Sequence, residues 1–168
     1  IRHRPNVVVI GNDLHYEQLR AALEAYPIKV FCGPEAIAQA TVFESVDMVL
    51  TAMVGFSGLK PTIEAIRAGK PIALANKETL VVAGELIMQE AMAKRVAVIP
   101  VDSEHSAVYQ CLAGEGNNRI EKIILTASGG PFREWNLEEL EKVSPDQALQ
   151  HPNWSMGPKI TIDSATMM

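Results

Sequence analysis

Over the first hundred residues, short runs of aliphatic residues alternate with segments of helical period, the pattern of a parallel α/β sheet. Val7–Ile10 reads as a buried strand closed by the turn Gly11-Asn12-Asp13, and residues 14–25 as a helix with Leu19, Ala22 and Leu23 on one face. A strand at 28–31 and a short helix at 35–40 come next. A third strand, 47–53, runs into the glycines of Val54-Gly55-Phe56-Ser57-Gly58. Pro61 suits the first turn of a helix through Ala68, because its missing N–H has no partner there to lose, and Gly69 stops that helix. A strand at 71–75, a long helix Glu78–Lys94 and a strand at 96–101 complete the series.

Beyond Asp102 the texture changes. A helical run to about Leu112 leads into the polar loop Gly114-Glu115-Gly116-Asn117-Asn118-Arg119. Residues 120–126 read as a strand, broken by Ser128-Gly129-Gly130-Pro131. An acidic helix at 137–142 and a second opened by Ser144-Pro145-Asp146 follow. His151-Pro152-Asn153-Trp154-Ser155-Met156-Gly157-Pro158 is too rich in proline and glycine for a regular element, and Lys159–Ser164 alternates like a strand. The expected domain boundary lies near 101–104, giving domains 1–101 and 102–168.

Composition narrows the function classes. The 168 residues are 48% hydrophobic and 21% charged, enough to bury a core. Fifteen Lys and Arg against 20 Asp and Glu leave a net charge of −5, which argues against nucleic acid as a partner. Cys32 and Cys111 alone rule out a disulfide framework or a Cys-rich zinc site, and fit a reducing compartment. No apolar run approaches the roughly 18 residues of a membrane span, so no membrane partner is expected. The chain opens on Ile1 and stops at Met168 without polar tails, the expectation for a piece of a longer protein.

Four places could carry chemistry. Asp102-Ser103-Glu104 follows a strand at the edge where doubly wound sheets bind ligands. If extended backbone persists to Glu104, the i, i+2 spacing points both carboxylates one way, a donor set for Mg²⁺ or Mn²⁺. Helix capping by Asp102 or Ser103 is the commoner use of such a tripeptide. Asn76-Lys77-Glu78 holds the equivalent place one strand earlier, as nucleotide or substrate contacts or as a plain cap. Ser128-Gly129-Gly130 offers a phosphate cradle or a tight turn. In the loop after His151, Trp154 packs on something, as part of a lid or within its own loop. His3, His15 and His105 carry little signal alone. No G-x-G-x-x-G turn is present; Gly55 and Gly58 give only G-x-x-G.

Taken together, several blocks resemble the 1-deoxy-D-xylulose 5-phosphate reductoisomerase family. They are Ala68-Gly69-Lys70 through Leu74-Ala75-Asn76-Lys77-Glu78, Pro100-Val101-Asp102-Ser103-Glu104-His105, Ser128-Gly129-Gly130-Pro131-Phe132-Arg133-Glu134, and His151-Pro152-Asn153-Trp154-Ser155-Met156-Gly157 on to Asp163-Ser164-Ala165-Thr166-Met167-Met168. The resemblance spans residues 47–168. It implies a truncated Rossmann-like, mostly parallel α/β domain that binds NADPH, followed by the start of an α+β catalytic domain. It further implies rearrangement and reduction of 1-deoxy-D-xylulose 5-phosphate to 2-C-methyl-D-erythritol 4-phosphate for isoprenoid synthesis, in a homodimer of the bacterial cytoplasm or a plastid.

By the same resemblance Asp102 and Glu104 ligate Mg²⁺ or Mn²⁺, and Ser103 and Glu104 touch substrate. Lys77, Ser128, His151 and Ser164 hold substrate, Trp154 closes over it, and Asn76, Glu78 and Gly157 border the cofactor. Lys77, Asp102, Glu104 and His151 are the expected catalytic set. The family's glycine-rich phosphate turn, its third metal carboxylate in an Asn-Lys-Gly-x-x-Glu stretch and its C-terminal helical domain are absent. The chain by itself is therefore expected to be inactive. Two other classes remain open: a catalytically silent α/β ligand-binding or regulatory module, and another metal-dependent Rossmann-type dehydrogenase.

Overall fold

In a computed structural model, residues 2–116, 118–125, 129–155 and 157–165 are described. The chain divides into two compact units, Ile1–Asn117 and Asn118–Met168.

The first unit is mixed α/β with every strand pairing parallel among the described residues. Strands β1 (Val7–Ile10) and β2 (Lys29–Cys32) form one sheet, and β3 (Val49–Thr51), β4 (Ile72–Leu74) and β5 (Val98–Pro100) form another with β4 in the middle. Helices α1 (Tyr16–Leu23), α2 (Pro34–Ala40), α3 (Leu59–Arg67), α4 (Glu78–Lys94) and α5 (Ser103–Leu112) follow the strands in turn. Asn12 caps the 3₁₀ turn before α1 by accepting from the Leu14 amide at 3.0 Å. Pro61 sits in the first turn of α3, and Gly69 takes φ +76° just past its end, where a side chain would be strained.

Between β3–β4–β5 and helices α3 and α4 lies the core. Ala65 and Ile66 of α3, Ile72 and Leu74 of β4, and Ile87 and Ala91 of α4 are buried together, with Val49, Leu59, Ile63, Leu80, Val96 and Val98 around them. Burying the larger of these, Ile66, Ile72, Leu74 and Ile87, stabilises by roughly 1.5–3 kcal/mol each. Arg67 ties the two helices on the outside, with Nη2 2.9 Å from Glu90 Oε1. Helix α5 packs against β5, which keeps it with the first unit.

The second unit is built from short helices and loops. Helices α6 (Leu137–Leu140) and α7 (Pro145–Ala148) each open with a reciprocal capping box, Asn136 with Glu139 and Ser144 with Gln147. Two sequence expectations fail here. Residues 120–125 form no strand among the described residues, and Thr126 lies outside them. Their aliphatic side chains are exposed, Ile124 at 75%, because β propensity becomes a strand only where a partner strand pairs with it. Residues 159–164, which alternate like a strand, lie in helix α8 (Pro158–Ala165). Proline favours the first helical position, Lys159 and Asp163 pair at 2.9 Å across one turn, and Thr161 Oγ1 donates to the Gly157 carbonyl at 3.0 Å. Six alternating residues are too few to outweigh those signals.

Candidate active site

The first site is assembled at the C-terminal edge of β3–β4–β5. The ladder ends at Thr51, Leu74 and Pro100, and backbone bonding continues past it. The amides of Ala75 and Asn76 donate to the Thr51 carbonyl at 3.0 and 2.9 Å, and the Val101 amide donates to the Leu74 carbonyl at 2.9 Å. Those bonds bring Asn76-Lys77-Glu78 and Asp102-Ser103-Glu104 to neighbouring positions on one edge.

Asp102 stands at the start of α5, where a capping side chain would turn back onto the helix amides. It makes no such bond. Instead Oδ1 lies 3.2 Å from Lys77 Nζ and Oδ2 lies 2.6 Å from His105 Nδ1. Burial opposes ionisation of Asp102, but the hydrogen bonds and charges of His105 and Lys77 outweigh it and hold the carboxyl below its ordinary range. The extended geometry that would point Glu104 the same way does not persist, because Ser103 already begins the helix. Glu104 therefore lies in the first turn, its Oε2 accepting from Ser103 Oγ at 2.7 Å.

Asn76 is the buried member of the edge, 2% exposed. Its side chain does not cap α4. The amide Nδ2 donates to the Gly55 carbonyl at 3.1 Å and to Glu78 Oε2 at 2.7 Å, and Oδ1 accepts from the Thr79 hydroxyl.

The remaining predicted residues belong to the second unit and form two groups. Gly129 and Gly130 turn at φ +80° and +57°, and Gly130 presses on the backbone of Ser164 and Ala165 so closely that a Cβ there would overlap the Ser164 carbonyl. The glycine turn and Ser164 are thus neighbours, with the Ser164 hydroxyl donating to the Ile160 carbonyl at 3.0 Å. Ser128 lies outside the described residues. The His151 and Trp154 rings stack at 5.5 Å and 14°, while His151 Nδ1 accepts from the amides of Asn153 and Trp154 at 3.1 Å each. Trp154 nonetheless stays 62% exposed. Gly157 accepts from the Thr161 amide at 3.1 Å and has open space where a Cβ would stand.

Sequence reasoning gave Gly58 and His105 little weight and passed over Thr79. For His105 a signal existed, since the i, i+3 spacing from Asp102 puts the two on one side of a first helical turn. Thr79 stands at the same i, i+3 spacing from Asn76, whereas only the fold brings Gly58 to Asn76. Among the described residues no group of three or more His, Cys, Asp or Glu is placed to hold a metal ion.

Two family profiles cover most of this chain: 1-deoxy-D-xylulose 5-phosphate reductoisomerase over residues 1–84, and the C-terminal domain of that reductoisomerase over residues 98–168. The chain belongs to the 1-deoxy-D-xylulose 5-phosphate reductoisomerase family. It is 65% identical over 167 residues to the reductoisomerase of Bacteroides thetaiotaomicron, covering 99% of this chain and 43% of that protein. To the reductoisomerase of Porphyromonas gingivalis it is 61% identical, with 99% and 43% covered. The chain therefore spans less than half the length of the reductoisomerases it matches. Among solved structures, it is similar to a reductoisomerase in complex with NADPH, fosmidomycin and magnesium, at TM-score 0.85 and 38% identity over 99% of this chain and 43% of that one. The Zymomonas mobilis reductoisomerase in complex with NADPH gives TM-score 0.84 and 41% identity, over 96% and 41%.

Proposed function

We propose that the natural protein containing this sequence converts 1-deoxy-D-xylulose 5-phosphate to 2-C-methyl-D-erythritol 4-phosphate with NADPH and Mg²⁺ or Mn²⁺, as an enzyme of isoprenoid synthesis. The observation that carries this reading is Asp102: an ionised carboxylate at the strand-end edge, unused as a helix cap, facing Lys77 in a chain of this family. The family resemblance, and relatives whose structures hold NADPH and magnesium, support it.

The donor chemistry fits a hard cation, which prefers carboxylate oxygens, and Asp102 and Glu104 are the residues that would hold it. When bound, the cation supplies Lewis-acid polarisation of the substrate's oxygens, and NADPH supplies the hydride. Lys77 lies beside Asp102 and, with Ser103 and Glu104, would contact the substrate. Asn76, Glu78 and Gly157 border the cofactor in this reading. Ser128, His151 and Ser164 hold the substrate about its phosphate, and Trp154 covers it, excluding water. Fixing the phosphate far from the reacting carbons orients the sugar, which can lower the barrier by several kcal/mol.

The functional boundary is placed at residues 101–104, with 1–101 serving the cofactor and 102–168 opening the catalytic part. We further propose a homodimer in the bacterial cytoplasm; the matched relatives are bacterial. Among the described residues, no helix is long and apolar enough to cross a membrane.

The test is NADPH oxidation by the natural protein with 1-deoxy-D-xylulose 5-phosphate and Mn²⁺. Asp102→Asn and Glu104→Gln are each expected to lower kcat by roughly 100-fold or more, as loss of a charged ligand does. The 168 residues alone should give no turnover, having no G-x-G-x-x-G turn and, among the described residues, no group of three side chains placed to hold a metal ion. Wild-type protein that leaves NADPH unoxidised refutes the assignment.

A further inference from the structure

We infer that Asn76 acts on the cofactor as a positioning residue: its buried amide ties the Gly55–Gly58 turn to the start of α4 and aims Glu78, and the space it fills is why position 58 must be glycine. The inference deepens the NADPH reading and rests on it.

The donor count makes the argument. A primary amide has two N–H groups, and both are spent inside the protein, on the Gly55 carbonyl at 3.1 Å and on Glu78 Oε2 at 2.7 Å. The side chain is left with no proton to offer a ligand. Its oxygen accepts from the Thr79 hydroxyl, and Thr79 is fully buried. On the opposite side, the fully buried Thr62 hydroxyl donates to the Gly58 carbonyl at 2.7 Å and fixes the turn from α3. A strand end, a glycine turn and the start of α4 are thus joined through one amide, and the Thr62 bond ties the same turn to α3. Such closed polar networks hold their members rigidly, because any broken bond leaves a buried group unpaired.

Gly58 completes the device. A Cβ at that position would overlap Asn76 Oδ1 and lie 3.0 Å from its Cγ, but only 3.6 Å from its Cβ. Alanine at 58 therefore displaces the amide, whereas with alanine at 76 as well the two methyl groups meet at ordinary contact distance. The two positions must be coupled, and the sign of the coupling follows from the geometry.

The experiment uses the natural protein and measures NADPH affinity by titration, kcat at saturating NADPH, and the urea midpoint of unfolding. Asn76→Ala, Asn76→Asp and Gly58→Ala should each weaken NADPH binding by roughly 10-fold while kcat at saturation changes about 2-fold or less, since an orienting group acts before the chemistry. Asn76→Asp keeps the size but faces the Gly55 carbonyl and the Glu78 carboxylate with acceptors, so it should weaken binding at least as much as Asn76→Ala. Thr79→Val should weaken NADPH binding, and Thr79→Ser, which keeps the hydroxyl, should recover it. Gly58→Ala should lower the urea midpoint in the wild-type background by at least about twice as much as in Asn76→Ala. Unchanged NADPH affinity in folded Asn76→Asp and Thr79→Val would overturn the positioning role, as would additive effects of the 58 and 76 substitutions. If the wild-type protein binds no NADPH, the functional reading itself fails and takes the positioning role with it, while coupled midpoints would still report the contact between 58 and 76.

Discussion

At the end of β3 the Thr51 hydroxyl is buried, the residue 4% exposed, with no hydrogen-bond partner among the described residues. Valine has the same shape without the polar atom, so Thr51→Val should raise stability by about 1 kcal/mol, read as a higher urea midpoint. A lower midpoint would show that the hydroxyl is bonded. Asp102 gives the opposite case, a polar group held by two partners. Its carboxyl is depressed below the ordinary aspartate value, so its contribution to stability is complete above that value of about 3.9 and is lost as pH falls through the lower folded value. The wild-type protein should therefore lose more stability than Asp102→Asn between neutral pH and about pH 3. Parallel acid titrations of the two would contradict this. The sequence made the place of Asp102 legible, since a carboxylate straight after a buried strand stands at a ligand-binding edge. Its partners were less so: Lys77 comes from a different strand end, and only the parallel register of β4 with β5 brings the two together.

The elements were legible in proportion to how much local chemistry specifies them. Helix α4 runs from Glu78 to Lys94 as its pattern predicts, and each of the five strands lies where an aliphatic run predicts one: β1 with the same bounds, β2 shifted by one residue, and β3, β4 and β5 shorter by one or two residues at the ends. The hydrogen bonding divides them into two sheets, a matter of which strand finds which neighbour and therefore invisible in any one run. The same reason accounts for the failures. Residues 120–125 have the composition of a strand and no described partner, and residues 159–164 alternate but follow a proline that starts a helix. Ile87 shows what holds α4 in place despite its non-helical residue Ala83: it is fully buried against α3 and β4. Ile87→Ala should cost about 3 kcal/mol, the transfer term plus the cavity it leaves, read by urea unfolding. A loss below about 1 kcal/mol would mean that the helix settles into the gap.

Across the whole molecule, the two units differ in how their apolar side chains are disposed. The first buries a contiguous aliphatic core, whereas residues 120–125 of the second turn four large aliphatic side chains, Ile120, Ile123, Ile124 and Leu125, toward solvent. Ile120-Glu121-Lys122-Ile123-Ile124-Leu125 carries one charge of each sign, no proline and no glycine. Six-residue segments of that kind, when exposed, stack in register with copies of themselves and seed fibrils. The 168-residue chain should accordingly self-associate with a concentration-dependent lag, followed by dye binding or light scattering, and Ile124→Lys should lengthen that lag severalfold by placing a like charge at every level of the stack. A lag indifferent to Ile124→Lys would locate the nucleating stretch elsewhere. The segment whose β propensity finds no partner strand among the described residues is thus the one most disposed to find it in another copy, so the 168-residue chain would be kept in solution by a few residues outside its strand-end cluster.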